Sequence, residues 1–233
     1  MRHADAHLGR PGACGQGGAG VGGPSALTAW TALVPIKSEG RRKTRLSSFM
    51  SEPARNDLAD LMLHRVLAAL AASPSVNEII VLSSARPTGW SGRSSFDHGR
   101  GLNTELAAIA RDIAGRLMVV HADLPTLTPA DVEAFATIGE DGVAIASDRW
   151  SRGTNALAAR EAGSLRFAFG PDSLALHKEL MPSAAIVHRA GLGLDLDLPG
   201  DLRDVVEQGS LPSSWSRLGG TTALDVSLQP FTC

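Results

Sequence analysis

Short apolar runs recur along this chain with room for one helix between most neighbours, and that rhythm constrains the fold more than any other feature. TALVPI (31–36), EIIVLSS (78–84), LMVVH (117–121), VAIAS (143–147) and AIVH (185–188) each read as a strand. LMVVH is continuously apolar, as expected of a strand covered on both faces. A further short strand is expected near 165–169. The intervening segments carry helix signals. Ser51 N-caps a helix over about 52–72 with Pro53 in its first turn, and Leu58, Leu61, Met62, Val66 and Leu70 form its apolar stripe. A polar loop follows EIIVLSS up to about 101, and then Leu106, Ile109 and Ile113 line a second helix. Thr128 caps a helix beginning at Pro129, with Asp131 at the favourable third position. Further helices are expected from Pro171 and after LDLDL, the last ending at Gly209. Such alternation predicts an α/β fold: a mostly parallel central sheet between two helical layers, Rossmann-like in outline.

A chain of 233 residues with 43% hydrophobic content is long enough for one substantial core. Residues 1–26 are Gly-rich, cannot bury enough side chain to offset ordering, and are expected to be a flexible head. A single domain is expected over 27–210, with 211–233 as a tail lacking periodicity. A net charge of -2 gives no bulk attraction to nucleic acid or membrane, and neither is expected as a partner. No run approaches the ~20 apolar residues of a membrane span. Cys14 and Cys233 fall in the head and the tail, without a disulfide framework or a CxxC metal pattern, so a reducing cytoplasm is the expected compartment.

The residues that carry chemistry cluster in three segments: VPIKSEGRRKTRLS (34–47), HADLP (121–125) and LDLDLP (194–199). Lysine occurs only at Lys37, Lys43 and Lys178, so two of the three lie in the first segment. In doubly wound sheets ligands bind at the carboxyl ends of strands, where Lys37, Lys43 and Arg45 could grip a triphosphate. As residues alone, they are equally readable as a solvated basic loop. Asp123, at the tip of LMVVHA, could hold Mg2+ or could be an ordinary turn aspartate. Asp195 and Asp197, two apart, would share one side of a strand and repel unless a cation neutralises them. The alternative is an edge strand with a wet face. SRGTN (151–155) and FGPDS (169–173) read either as turns and caps or as an anion pocket at a helix start. Asn103 is either an N-cap or a ligand to nucleotide. His64, His121, His177 and His188 lack metal-ligand spacing, and no P-loop or nucleophile elbow occurs.

Taken together, VPIKSEGRRKTRLS, GLNTEL (101–106), HADLPTLT (121–128), SDRWSRGTNAL (147–157), FGPDSLALH (169–177) and LDLDLPGDL (194–202) resemble the 2-phospho-L-lactate guanylyltransferase family (CofC/FbiD type) of coenzyme F-420 biosynthesis. The resemblance spans about residues 30–209 in unbroken order. It implies a nucleotidyltransferase-like fold, GTP as co-substrate and Mg2+ as cofactor. It further implies that Lys37, Lys43 and Arg45 face the triphosphate, with Pro35 and Asn103 near the nucleoside. Asp123, Asp195 and Asp197 would carry metal. Thr154, Gly170 and Ser173 would hold a phosphorylated acid, with His177 nearby. One departure stands out: Arg152 occupies a position that is often small in the family, which leaves the close approach of its loop open.

The reaction so implied joins GMP from GTP to 2-phospho-L-lactate, phosphoenolpyruvate or 3-phosphoglycerate, with release of pyrophosphate. A homodimer is left open. Rival readings are a DxD sugar-nucleotide glycosyltransferase, another nucleotidyltransferase, or a non-catalytic nucleotide-binding module. Asp195-Leu196-Asp197 stands late in the chain for a glycosyltransferase, and a non-catalytic module would not need Lys37, Lys43 and all three aspartates.

Overall fold

The computed structural model describes residues 29–36 and 43–207. The proposed Gly-rich head, Lys37 and the proposed tail lie outside the described residues. Among the described residues, seven strands build one sheet: β1 (Trp30–Pro35), β2 (Val76–Ser83), β3 (Arg93–Phe96), β4 (Leu117–Val120), β5 (Val143–Ser147), β6 (Thr154–Ala159) and β7 (Ala185–Val187). The helices longer than one 3-10 turn are α1 (Glu52–Ala71), α2 (Leu102–Arg111), α3 (Pro129–Glu140), α4 (Ser173–Leu180), α5 (Ala190–Gly193) and α6 (Pro199–Glu207). Spatial order in the sheet is β3-β2-β1-β4-β6-β5-β7. Pairing is parallel between β3, β2, β1 and β4 and between β5 and β7. β6 runs antiparallel to both its neighbours.

Alternation along β1 explains the layering. Trp30, Ala32 and Val34 face one way and join Leu63, Val66 and Leu67 of α1 and Val132 and Phe135 of α3 in one core. Leu33 faces the other way and joins Leu106 of α2 and Leu174 of α4 in a second. The sheet thus carries α1 and α3 on one side and α2 and α4 on the other, the expected three-layer α/β arrangement. Close packing of α3 depends on small residues. A Cβ at Gly139 would stand 2.6 Å from the Trp30 ring, so only glycine admits the indole beneath the helix.

Several local signals act as read. Ser51 accepts a hydrogen bond from the Ala54 amide at the start of α1. Thr128 and Asp131 form a reciprocal capping box on α3. Other expectations require correction. The polar stretch after β2 contains β3, an exposed edge strand whose sequence RSSF lacks an apolar alternation. The expected strand near 165–169 does not form. Leu165, Phe167 and Phe169 still pack on the second core, but from an irregular segment without a strand partner. The missing strand lies earlier, at TNALAA, whose alanines give no strand signature. LDLDL is not a strand either, and α4 begins at Ser173 rather than Pro171. Asn103 does not cap α2, whose N-cap is Gly101.

A buried carboxylate shapes the turn into α2. Glu105 accepts from the amides of His98 and Arg100 and forms a two-pronged ion pair with the Arg100 guanidinium. The Arg100 hydrogen bond holds its carboxyl down to about 2, against an ordinary 4.5. A depressed folded pKa contributes stability above the unfolded value and loses it as pH falls through the folded one. The melting-temperature advantage of wild type over Glu105→Gln should therefore be full above about pH 4.5 and shrink towards pH 2, as thermal unfolding across that range would read.

Candidate active site

The carboxyl ends of β1 and β4 and the amino end of the reversed β6 share one rim of the sheet. Pro35 closes β1 there, opposite Leu82 of β2. Beyond β4, the His121 amide donates to the Asn155 carbonyl at 3.0 Å, which sets the strand tip beside the start of β6. Asp123 follows two residues later. The Leu196 amide donates to the Asp123 carbonyl at 3.1 Å and so ties LDLDL to this tip by its backbone.

Across these elements lies Lys43. Its Nζ stands 2.7 Å from Asp123 Oδ2 and 3.0 Å from Asp197 Oδ1, with only 8% of its side chain exposed. Arg45 Nη1 reaches Asp197 Oδ2 at 3.0 Å from a mostly exposed position. Burial alone would lower the Lys43 pKa, but the two carboxylates more than offset it and hold the ammonium above its ordinary value. Lys43 takes a left-handed conformation, φ 49°, at the start of the 3-10 turn Thr44–Leu46. That costs a residue with a Cβ about 1–2 kcal/mol, and the double ion pair holds it there.

Asp195 completes the cluster without touching Lys43. Burial, then the charges of Asp123 and Asp197, push its carboxyl up to about 6. Asn155 Nδ2 lies 3.5 Å from Asp195 Oδ1 and donates to the Leu192 carbonyl at 2.9 Å. Asn155 is a functional candidate that sequence reasoning missed. Its signal was a carboxamide just inside an apolar run, obscured because that run was not read as a strand. Among the described residues no three His, Cys, Asp or Glu side chains form a ready-made metal cage. An ammonium stands between two of the expected ligands instead.

Of the residues expected around the acid, Thr154, Ser173 and His177 meet one another. The Thr154 amide donates to Ser173 Oγ at 2.9 Å, and His177 Nδ1 lies 2.9 Å from Thr154 Oγ1. Burial, then the neighbouring His121, lower the His177 pKa to about 4, so its ring is neutral. The rings of His121, Phe169 and His177 form a row with centroids 4.8 and 4.9 Å apart. Asn103 links this row to α2: it accepts from the Phe169 amide at 2.8 Å and donates to the Phe169 carbonyl at 3.0 Å. Gly170 follows with φ 145°, a conformation that favours glycine, at an exposed point of the same loop. Arg152 does not obstruct the approach. Its side chain points outward to Asp172, while Gly153 lies so close to Asp148 that a Cβ would meet Oδ2 at 2.9 Å.

A profile of the family described as "Guanylyl transferase CofC like" matches residues 30–217. The chain belongs to this family. The phosphoenolpyruvate guanylyltransferase of Sphaerobacter thermophilus is 33% identical over 205 residues, covering 81% of this chain and 98% of the relative. A putative nucleotide-diphospho-sugar transferase from Desulfovibrio desulfuricans aligns with a TM-score of 0.63 at 17% identity, covering 81% of this chain and 90% of that one. A Methanothermobacter nucleotidyl transferase aligns at 0.54 and 18% identity, covering 77% and 97%. These structural likenesses bear on the fold, which is that of a nucleotidyltransferase. The CofC-like chain is a guanylyltransferase, with a nucleotide and a phosphorylated compound as its substrates.

Beneath the acidic and basic segments of this guanylyltransferase lies a third, small core. Leu194 and Leu196 turn inward against Leu46, Met50, Leu58, Met62, Leu202 and Val205. Alternation therefore puts Asp195 and Asp197 on the opposite side, towards Lys43, although no sheet partner fixes them. Leu196 is fully buried. Leu196→Ala should cost about 2–5 kcal/mol in urea unfolding and weaken nucleotide binding with it, since the same residue seats both acids.

Proposed function

We propose that the protein transfers GMP from GTP to the phosphate of phosphoenolpyruvate, or of a closely related phosphorylated carboxylic acid, and releases pyrophosphate in the biosynthesis of coenzyme F-420. The observation that carries this reading is the Asp123–Lys43–Asp197 bridge, a cation and acids at the strand ends where a triphosphate would be received. The matched relatives, named phosphoenolpyruvate guanylyltransferases, support that acid over 2-phospho-L-lactate and 3-phosphoglycerate. The absence of a membrane-crossing helix among the described residues accords with a cytoplasmic enzyme.

An oxygen of the acceptor phosphate attacks the α-phosphorus of GTP, the bond from that phosphorus to the bridging oxygen of the β-phosphate breaks, and pyrophosphate leaves with the electron pair. No general base is needed, because the second pKa of a phosphate monoester, ~6, leaves it largely ionised at neutral pH. Lys43, Arg45 and Lys37 would neutralise the departing pyrophosphate. Pro35 and Asn103 would border the nucleoside, Asn103 by fixing the Phe169 backbone. Thr154, Gly170 and Ser173 would receive the acid. Positioning thus carries most of the rate.

The donor set fits Mg2+. Asp195, raised to about 6 by burial and two neighbouring carboxylates, marks a place where added positive charge is favourable. Asp123, Asp195 and Asp197 would hold the ion, which when bound supplies charge neutralisation at the attacking and leaving oxygens.

Asp123→Ala and Asp197→Ala should leave the fold intact by circular dichroism yet abolish GTP-dependent pyrophosphate release. Substantial release from either folded variant sinks the assignment. Lys43→Met should also lose turnover, but should bind Mn2+ about tenfold more tightly without nucleotide, read by electron paramagnetic resonance, because it removes a competing cation from between two carboxylates. Incubation with GTP, Mg2+ and each of the three acids, with products weighed by mass spectrometry, identifies the acceptor.

A further inference from the structure

The start of β6 and the start of α4 meet through two hydroxyls and one imidazole. His177 is fully buried and Thr154 and Ser173 are each 2% exposed. The Ala168 amide donates to His177 Nε2 at 3.0 Å. A ring nitrogen that accepts from an amide carries no proton, so the single proton of this neutral imidazole sits on Nδ1. Nδ1 lies 2.9 Å from Thr154 Oγ1 and therefore donates to it. The carbonyl of Ser173, one turn earlier on α4, also accepts from this ring, so the Nδ1 proton is shared between it and Thr154 Oγ1. Ser173 Oγ in turn accepts from the Thr154 amide at 2.9 Å. Each hydroxyl is thus engaged by the protein as an acceptor and retains its own proton to give.

We propose that His177 is a positioning residue: it fixes the tautomer and orientation that turn the Thr154 hydroxyl, beside that of Ser173, into a donor aimed at an oxyanion of the phosphorylated acceptor. The proposal rests on the placement of the acceptor at Thr154 and Ser173 given above. It separates His177 from a histidine that merely fills space, because a space-filling ring would be replaceable by another ring. The Phe169 ring, 4.9 Å away at 73°, packs on its side and holds the imidazole plane. Donation to a charged oxygen is worth enough to show in the KM for the acceptor while leaving GTP unaffected.

The test is a double-variant cycle on the full-length chain with phosphoenolpyruvate and GTP. His177→Phe keeps a ring but removes both hydrogen bonds, and Thr154→Val removes the hydroxyl. Each should raise the KM for phosphoenolpyruvate about tenfold or more, with the KM for GTP near wild type and the chain still folded by circular dichroism. The double variant should be no worse than Thr154→Val, because His177 acts through that hydroxyl. His177→Asn, whose amide nitrogen can stand close to the Nδ1 position, should recover much of the affinity. Should His177→Phe not fold, the cycle is run with His177→Gln, whose amide reaches towards Nε2 and leaves Thr154 without its donor. Additive losses in the double variant, equal rises in both KM values, or a wild-type KM for phosphoenolpyruvate in the first variant would overturn the proposal. If wild-type protein makes no product from phosphoenolpyruvate, the assigned acceptor fails instead, and the two failures are told apart.

Discussion

One ammonium group holds this site together. Lys43 reaches Asp123 across 80 positions of sequence and Asp197 across 154, and no other described side chain joins the basic turn, the tip of β4 and the LDLDL segment. Three carboxylates gathered at one rim would repel each other strongly in a partly buried setting. A cation supplied by the chain itself resolves that conflict. The small core of Leu46, Met50, Leu58, Met62, Leu194, Leu196, Leu202 and Val205 lies beneath it, so charge above and apolar burial below act on the same segments. The apolar cluster sets which way the acids point, and the ammonium makes their proximity tolerable.

The sheet divides the work at β6. In its parallel part, β3-β2-β1-β4, the carboxyl ends that receive ligands in doubly wound sheets lie at this rim. Reversal of β6 brings the beginning of a strand to the same rim, which is why Thr154 and Asn155 stand beside Asp123 and Asp195 although they open their strand rather than follow it. The rim is therefore built from opposite ends of strands, the ends of β1 and β4 and the start of β6.

Much of this was legible in the sequence because burial leaves a period. LMVVH, VAIAS and TALVPI are so apolar that little but a buried strand could accommodate them, and Ser51, Thr128 and Asp131 announce their helices by hydrogen-bonding chemistry. Alternation misled where it reported burial rather than pairing. LDLDL and the segment through Leu165, Phe167 and Phe169 both alternate, and both bury their apolar residues, yet neither has a strand partner. Conversely TNALAA and RSSF pair in the sheet without announcing it, one because alanine suits helices better, the other because it lies exposed at the edge. The direction of β6 was beyond reach for the same reason. At the candidate site, residue types and order singled out Lys43, Asp123 and Asp197, but the bridge between them depends on distances that no spacing encodes. Asn155 and the tautomer of His177 belong to the same category, since both are fixed by tertiary hydrogen bonds.

The stretch before β6 and the stretch before α4 are linked to each other by the exposed Arg152–Asp172 pair and by donation from the Leu174 amide to the Arg152 carbonyl. An exposed pair of this kind contributes little to stability. The side chains of Arg152 and Asp172 can thus be replaced with small penalty to folding, while the cation-and-acid bridge stays untouched. On the proposed placement of the acid at Thr154 and Ser173, such a scaffold lends itself to retooling: its choice of acceptor can drift between chemically similar metabolites while the nucleotide it consumes stays the same.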